Sequence, residues 1–351
     1  MISFDNPIVA ADIDQIVGSL EFAPLNGSTV LVTGATGMLA TYVVYTLAQL
    51  KLSGKADVEV IALGRNRAKM AERFGSLIEQ GAVKPLYQDI CEPLAFQGKV
   101  NYIIHLAGAA NPATITTDPV GIIRANTTGL FSVMELARAK GARVLFASTR
   151  EVYGAVAEGV TILNEETIGA IDPIDSRSCY PESKRMAETI CKSYNIQHGV
   201  PSTILRIAHC YGPGMNLEGD GRVMSDLMAD VIASRNITLK STGEAIRAFC
   251  YISDAVEGLF RALLSPSVFE LYNLANEREP ITVLALAKLL CATLPERGLT
   301  VTHREPTAQE RAGYAKFERV TLDTSKMESI GWSPRVTLTQ GVQRTIKSFT
   351  E

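Results

Sequence analysis

The sequence has almost no surplus of either charge: 34 Lys and Arg face 37 Asp and Glu, a formal net charge of −3. Nucleic acid is therefore not expected as the main partner, because neutralising a phosphate backbone needs a basic surface. Histidine is scarce, at four residues, and the six cysteines (Cys91, Cys179, Cys191, Cys210, Cys250 and Cys291) are scattered without a Cys-x-x-Cys spacing. That pattern argues against a zinc site or a disulfide framework, so reduced thiols and no metal are expected. No apolar run approaches the ~20 residues of a membrane span. Residues 1–15 carry Asp5, Asp12 and Asp14 and no apolar stretch, unlike a secretory leader. A cytoplasmic protein without a membrane partner is the expectation.

What is present is a long, ordinary globular composition: 351 residues, 46% hydrophobic and 20% charged, enough for one large or two interleaved domains. A short helical preface, residues 1–26, ends at Pro24. Compact β-branched runs follow at 28–33, 58–63, 83–87, 102–106 and 143–147. Helical stretches fall at 39–50, 67–80 and 119–140, then at 179–197, with another strand at 202–206. Strands alternating with helices at this spacing build βαβ units and a parallel sheet. The expected fold is α/β: a Rossmann-type doubly wound parallel sheet over 27–205, with a smaller, mixed, substrate-binding part over 206–351, partly interleaved with the first. Gly212, Pro213, Gly214, Gly219 and Gly221 mark a long loop there, before a helix at 223–234 and a strand at 237–239.

Thr33-Gly-Ala-Thr-Gly-Met-Leu-Ala40 lies where the first strand turns into a helix. Glycines there permit a tight turn and let backbone N–H groups approach a pyrophosphate at the helix N-terminus. The candidate cofactor contacts are Gly34, Thr36, Gly37, Met38 and Leu39, then Asp89 and Ile90 after the third strand, and Leu106, Ala107 and Gly108 after the fourth. The second strand ends in Leu63-Gly-Arg-Asn-Arg67, without the acid that usually takes the ribose hydroxyls. Arg65 suits a 2′-phosphate and Asn66 a ribose, which leaves NAD and NADP both open.

Tyr180-Pro-Glu-Ser-Lys184 places a phenol and an ammonium four apart, on one helix face. A free phenol, with a pKa of about 10, is too weak a base at neutral pH; a neighbouring cation lowers it. Upstream, Phe146-Ala-Ser-Thr-Arg-Glu-Val-Tyr-Gly154 ends the fifth strand in hydroxyls, and Ser148 or Thr149 is placed to orient a substrate hydroxyl beside Tyr180. A glycine turn, a hydroxyl-bearing strand end and a Tyr/Lys helix, in that order, are jointly specific for a catalytic site.

These residues resemble the extended short-chain dehydrogenase/reductase family of nucleotide-sugar epimerases, dehydratases and decarboxylases, and within it the UDP-glucuronate decarboxylase branch. The likeness rests on the two segments above and on Tyr211-Gly-Pro213, Asp220-Gly-Arg-Val223 and Arg247-Ala-Phe-Cys-Tyr-Ile-Ser-Asp254. It implies C4 oxidation of a nucleotide-linked sugar, a UDP-sugar being favoured, by a tightly bound NAD or NADP. Thr149 would hold the sugar 4-hydroxyl, Tyr180 would take its proton, Lys184 would assist, and Glu151 would act near C5. Arg222 and Arg247 would sit near the diphosphate or the sugar. Four positions depart from the family: Arg150 stands between Thr149 and Glu151 where serine or aspartate is usual, His209 replaces an asparagine, Lys240 an aromatic residue and Ala40 the third glycine of the turn; Arg150 and His209 are candidate substrate contacts. Decarboxylation, 4-epimerisation and dehydration remain open outcomes, and a cofactor-binding sensor without turnover is the non-enzymatic alternative. The resemblance also implies a homodimer paired through 119–140 and 179–197, with Leu130, Val133, Met134, Leu136, Met186 and Ile190 as the apolar residues.

Overall fold

The computed structural model describes residues 2–307 and 320–350. A first helix, α1 (Pro7–Ser19), is capped by the Asn6 side chain, which accepts from the amides of Ile8 and Val9. The nucleotide-type half then runs β1 (Ser28–Thr33), α2 (Met38–Leu52), β2 (Val58–Leu63), α3 (Arg67–Glu79), β3 (Lys84–Leu86), β4 (Tyr102–His105), α4 (Pro112–Thr117), α5 (Pro119–Asn126), α6 (Thr128–Lys140) and β5 (Arg143–Thr149). Past β6 (Ile162–Leu163) come α7 (Cys179–His198), β7 (Ser202–Ile207), β8 (Cys210–Tyr211), α8 (Val223–Ile232), β9 (Ile237–Leu239), β10 (Ile246–Arg247), β11 (Cys250–Tyr251), α9 (Ile252–Leu263) and β12 (Phe269–Leu274).

Seven strands form one parallel sheet in the order β12-β7-β5-β4-β1-β2-β3. Both faces of this sheet are covered. Along β1 the side chains alternate between two cores, Val30 and Val32 joining one and Leu31 the other, as a strand buried on both faces requires. The chain leaves β1 toward β2 and β3, then returns to β4 on the other side. Ligand crevices of open α/β sheets lie at that reversal, beyond the carboxyl ends of the strands.

The expected single helix over 119–140 is two helices. Thr127 interrupts it with φ −108° and ψ −70°, and both its amide and its hydroxyl bond to the Ile123 carbonyl, at 2.9 and 2.7 Å. A hydroxyl bonding back to the carbonyl four residues earlier bends a helix. Strand β5 continues past 147 because Ser148 and Thr149 stay in register with Arg206 and Ile207 of β7. The returning edge strand β12 and helix α9 come from the loosely patterned second half. Helix α1 docks through Asp12, whose buried carboxylate accepts from Tyr42 Oη (3.0 Å), Tyr251 Oη (2.7 Å) and Arg344 Nη1 (2.9 Å). Among the described residues no helix is long and apolar enough to cross a membrane.

The helix residues expected at a subunit contact divide into two sets. Leu130, Val133, Met134, Leu136 and Ile190 are buried within the chain, in the core beneath α6 and α7. Met186 is exposed, together with Val120, Ile123 and Phe131. The first set is thus a core face, because it follows the period that points at the sheet, and the outward apolar face is made by other residues.

Candidate active site

The glycine turn closes β1 at the reversal point. Gly34 has φ +65°, and a Cβ on it would lie 2.7 Å from Ala107 Cα, so only glycine allows the two strand ends to approach. Gly37 begins α2 with no side-chain cap, leaving first-turn N–H groups to face an incoming anion. Thr36, Met38 and Leu39 share this turn. Beneath it Thr33 Oγ1 accepts from the amides of Leu106 (3.2 Å) and Ala107 (3.3 Å) and lies 2.8 Å from His105 Nδ1. With its oxygen thus accepting, the hydroxyl donates to Nδ1, and the ring proton resides on Nε2, which is buried without a partner. Burial pushes the His105 imidazole down to about 3, so it stays neutral.

At the neighbouring strand ends the placements differ from one another. Arg65 Nη1 reaches Asp89 Oδ2 at 3.2 Å in an exposed pair, and Asp89 Oδ1 accepts from the Cys91 amide at 2.9 Å. Asp89 is therefore a loop cap as well as a crevice residue, its carboxyl held low chiefly by that amide. Ile90 is buried in the core beside it. Asn66 caps α3 by accepting from the Lys69 amide at 3.0 Å.

Across the crevice, α7 carries Tyr180 and Lys184, both buried at 8% and 6% exposure, against Thr149 at 6%. Burial pushes the Tyr180 phenol up to about 12, while the neighbouring Thr149 hydroxyl and the Arg222 charge pull it down. Thr149 Oγ1 also accepts from the Glu151 amide at 3.2 Å. Lys184 Nζ donates to the Ala147 carbonyl at 2.7 Å and stacks over the Phe146 ring at 4.6 Å. Burial lowers the ammonium to about 8, with Glu188 opposing. Lys184 gives its 2.7 Å bond to a backbone carbonyl, and Thr149 and Arg222 are the groups that lower Tyr180.

The remaining candidates surround this pair. Glu151 is exposed at the mouth. Arg150 Nη2 donates to the Val320 carbonyl at 3.3 Å, and Arg247 Nη1 to the Ile246 carbonyl at 2.8 Å. Burial lowers both guanidiniums; Arg150 lowers Arg247 further by like charge, and Glu151 opposes this at each. Neither has an ion-pair partner among the described residues. Arg222 does: it is bound to buried Asp220 through both carboxylate oxygens, with Nη2 to Oδ2 at 2.9 Å, and its charge is felt at Tyr180. His209 holds φ +44°, a left-handed conformation that asparagine and histidine tolerate better than most residues, and its ring packs on Phe249 at 5.9 Å.

Two groups escaped the sequence reading. Asn126 is fully buried, donates Nδ2 to Ser183 Oγ at 2.9 Å, and leaves Oδ1 unpaired. A Cβ on Gly108 would sit 2.9 Å from that oxygen and 3.9 Å from Lys184 Nζ, so this glycine keeps space open above the lysine. Glu188 and Arg206 form the second; Glu188 follows Tyr180 and Lys184 at spacings of eight and four on α7, a signal that the helical period contained. The open helix start, the glycines at 34 and 108 and the spare donors of Lys184 fit a dinucleotide.

Residues 30–275 match the model of the NAD dependent epimerase/dehydratase family. UDP-glucuronic acid decarboxylase 1 of Arabidopsis thaliana is 34% identical over 320 residues, covering 91% of this chain and 69% of that protein. UDP-glucuronic acid decarboxylase 6 of the same plant is 33% identical over 316 residues, covering 89% and 86%. Among solved structures, UDP-glucuronic acid 4-epimerase from Bacillus cereus in complex with NAD shares the fold, with a TM-score of 0.74 at 20% identity over 92% of this chain and 98% of that one.

Proposed function

Because the chain belongs to the NAD-dependent epimerase/dehydratase family, we propose that it oxidises C4 of a UDP-linked hexuronate and then releases the C6 carboxylate as carbon dioxide. The observation that carries this reading is the meeting of Thr149, Tyr180 and Lys184 at the end of β5, across the sheet's reversal point from the Gly34 turn. Tightly held NAD would supply the hydride-transfer chemistry at C4. Gly34, Thr36, Gly37, Met38 and Leu39 would hold its pyrophosphate, Asp89 and Ile90 would flank the adenine, and Lys184 with the 106–108 turn would hold the nicotinamide end. Arg65, already paired with Asp89, favours no 2′-phosphate, which supports NAD over NADP.

Tyr180 accepts the proton of the 4-hydroxyl, and Thr149 holds that hydroxyl in line. The 4-ketone makes the carboxylate a β-keto acid: the C5–C6 bond breaks, its electron pair becomes an enolate on the C4 oxygen, and carbon dioxide leaves. Glu151, exposed at the site mouth, relays a proton from solvent to C5. Arg222, pre-set by Asp220, and Arg247 bind the diphosphate, with arginine's planar fork matched to phosphate.

A second reading, 4-epimerisation with the carboxylate kept, is favoured by Arg150, a cation beside Glu151 that has no ion-pair partner among the described residues. Incubation with a panel of nucleotide sugars separates the two. UDP-glucuronate should lose carbon dioxide; unchanged mass with a new sugar spectrum supports epimerisation, and no change with any sugar sinks both. Denatured protein should release NAD in the same experiment.

We also propose that 27–205 and 206–351 act as cofactor and substrate parts. The six free cysteines accord with a reducing compartment, and the cytoplasm is the proposed location. A homodimer is proposed through the outward face of α5, α6 and α7, where Val120, Ile123, Phe131 and Met186 are exposed side by side on neighbouring helices. Phe131→Glu combined with Met186→Glu should convert a dimer to monomers in light scattering; a wild-type protein that is already monomeric ends this idea.

A further inference from the structure

None of the steps above uses the buried Glu188–Arg206 pair. Glu188 Oε1 accepts from Ser148 Oγ at 2.5 Å and from Arg206 Nε at 3.0 Å, while Oε2 accepts from Arg206 Nη2 at 2.7 Å. Only 13% and 11% of the two side chains are exposed. The guanidinium lies 4.6 Å above the Tyr153 ring and donates to the Glu165 carbonyl at 3.1 Å. Tyr153 in turn donates to Asn273 Oδ1 at 2.6 Å, and the Asn273 amide reaches the carbonyls of Leu163 and Asp323 at 3.1 and 3.0 Å. One polar chain thus ties the Tyr/Lys helix to β5, β7 and β12.

A buried ion pair gains little stability over a well-packed apolar replacement, because desolvation offsets the attraction. This one binds the residue next to Thr149 and stands one helical turn from Lys184, which points to a use in geometry. We infer that Glu188 is a positioning residue: with Arg206 it fixes the Ser148–Thr149 strand end against α7 and supplies the counter-charge for the Lys184 ammonium. The inference rests on the assignment of Tyr180 and Lys184 as the catalytic pair.

The surroundings of Lys184 leave Glu188 as its source of negative charge. On its own helix lie the phenol of Tyr180 and the thiol of Cys191, which burial keeps protonated. Strand β4 contributes neutral His105, β7 contributes Arg206, and α5 contributes uncharged Asn126. Strand β5 offers the Ala147 carbonyl and the Phe146 ring. Removing the Glu188 charge would withdraw the attraction and also leave the Arg206 cation unbalanced, two changes of the same sign.

Glu188→Gln keeps the shape and removes the charge; Glu188→Asp keeps the charge and shortens the reach to Ser148. The Lys184 13Cε resonance, identified with Lys184→Arg, gives its titration without any sugar present. In Glu188→Gln it should fall by on the order of one pH unit, and the pH at which kcat with UDP-glucuronate stops rising should move down with it. The kcat itself should drop on the order of tenfold with little change in KM. Glu188→Asp should titrate like wild type yet still lose kcat, and it remains the test if the glutamine variant does not fold. An unmoved Lys184 titration in Glu188→Gln, or full kcat in Glu188→Asp, overturns the inference. If those results come with an inactive Tyr180→Phe, only the role of Glu188 falls; an active Tyr180→Phe removes the catalytic pair itself.

Discussion

Tyr180→Phe should lower turnover of UDP-glucuronate by about 10²–10⁴-fold, the range for loss of a positioned acid–base group, and leave the protein folded. The phenol oxygen is the only atom removed, and the side chain that most lowers it is Thr149. Thr149 keeps the Glu151 amide as a donor, so no buried group is left with an uncompensated charge. The ring remains packed with Ile115 and Ile122, and the melting temperature should change little. In wild type the rate should rise with pH as the phenol, pushed up to about 12, begins to ionise, and the rise should level off as Lys184 loses its proton near about 8. The sign follows from the two groups: burial favours the neutral form of each, raising the phenol and lowering the ammonium. In the Phe variant the residual rate should lose the limb that belongs to the phenol. Turnover within about threefold of wild type would show that another group takes the C4 proton.

Much of this site was legible in the sequence because it depends on local spacing. The glycines of the first turn, the hydroxyls ending β5 and the Tyr/Lys interval on α7 each lie within a few residues, and the strand and helix periods place them on elements. Their meeting in space follows from the parallel order of the sheet. What escaped was non-local. Asn273 of β12 joins the active-site strands through Tyr153, 120 positions away, and no periodicity links the two. Thr127 broke a helix that its neighbours' apolar pattern continues, since the decisive term is one side-chain hydrogen bond. Outward and core apolar residues of α6 are not separable from the sequence because this helix is apolar on more than one face, and only the position of the sheet separates Phe131 from Leu130 and Met134. Asp89 and Asn66 occupy positions suited to a cofactor, yet each also caps a turn or helix, a double use that composition does not reveal.

Arg150→Ser should raise the proportion of UDP-glucuronate that leaves as pentose rather than as the 4-epimer, by on the order of tenfold to a hundredfold, the worth of about 1.5–3 kcal/mol for a hydrogen bond to a charged group. Loss of carbon dioxide moves negative charge from the carboxylate to the C4 oxygen. A guanidinium that holds the carboxylate stabilises the starting anion more than the transition state, and so slows that step. Arg150 is placed for this: it begins the turn directly after Thr149, lies near Glu151 and Arg247, and has no ion-pair partner among the described residues. Among the described residues its side chain makes one hydrogen bond, to the Val320 carbonyl through a single nitrogen. Serine removes the cation while preserving a small polar side chain, whereas Arg150→Lys keeps the charge without bidentate geometry and should fall between the two. Sugar products separated by NMR, with released carbon dioxide measured in parallel, give the ratio directly. A ratio that stays the same in Arg150→Ser would mean that the carboxylate is held elsewhere, and that this arginine serves the turn rather than the choice of product.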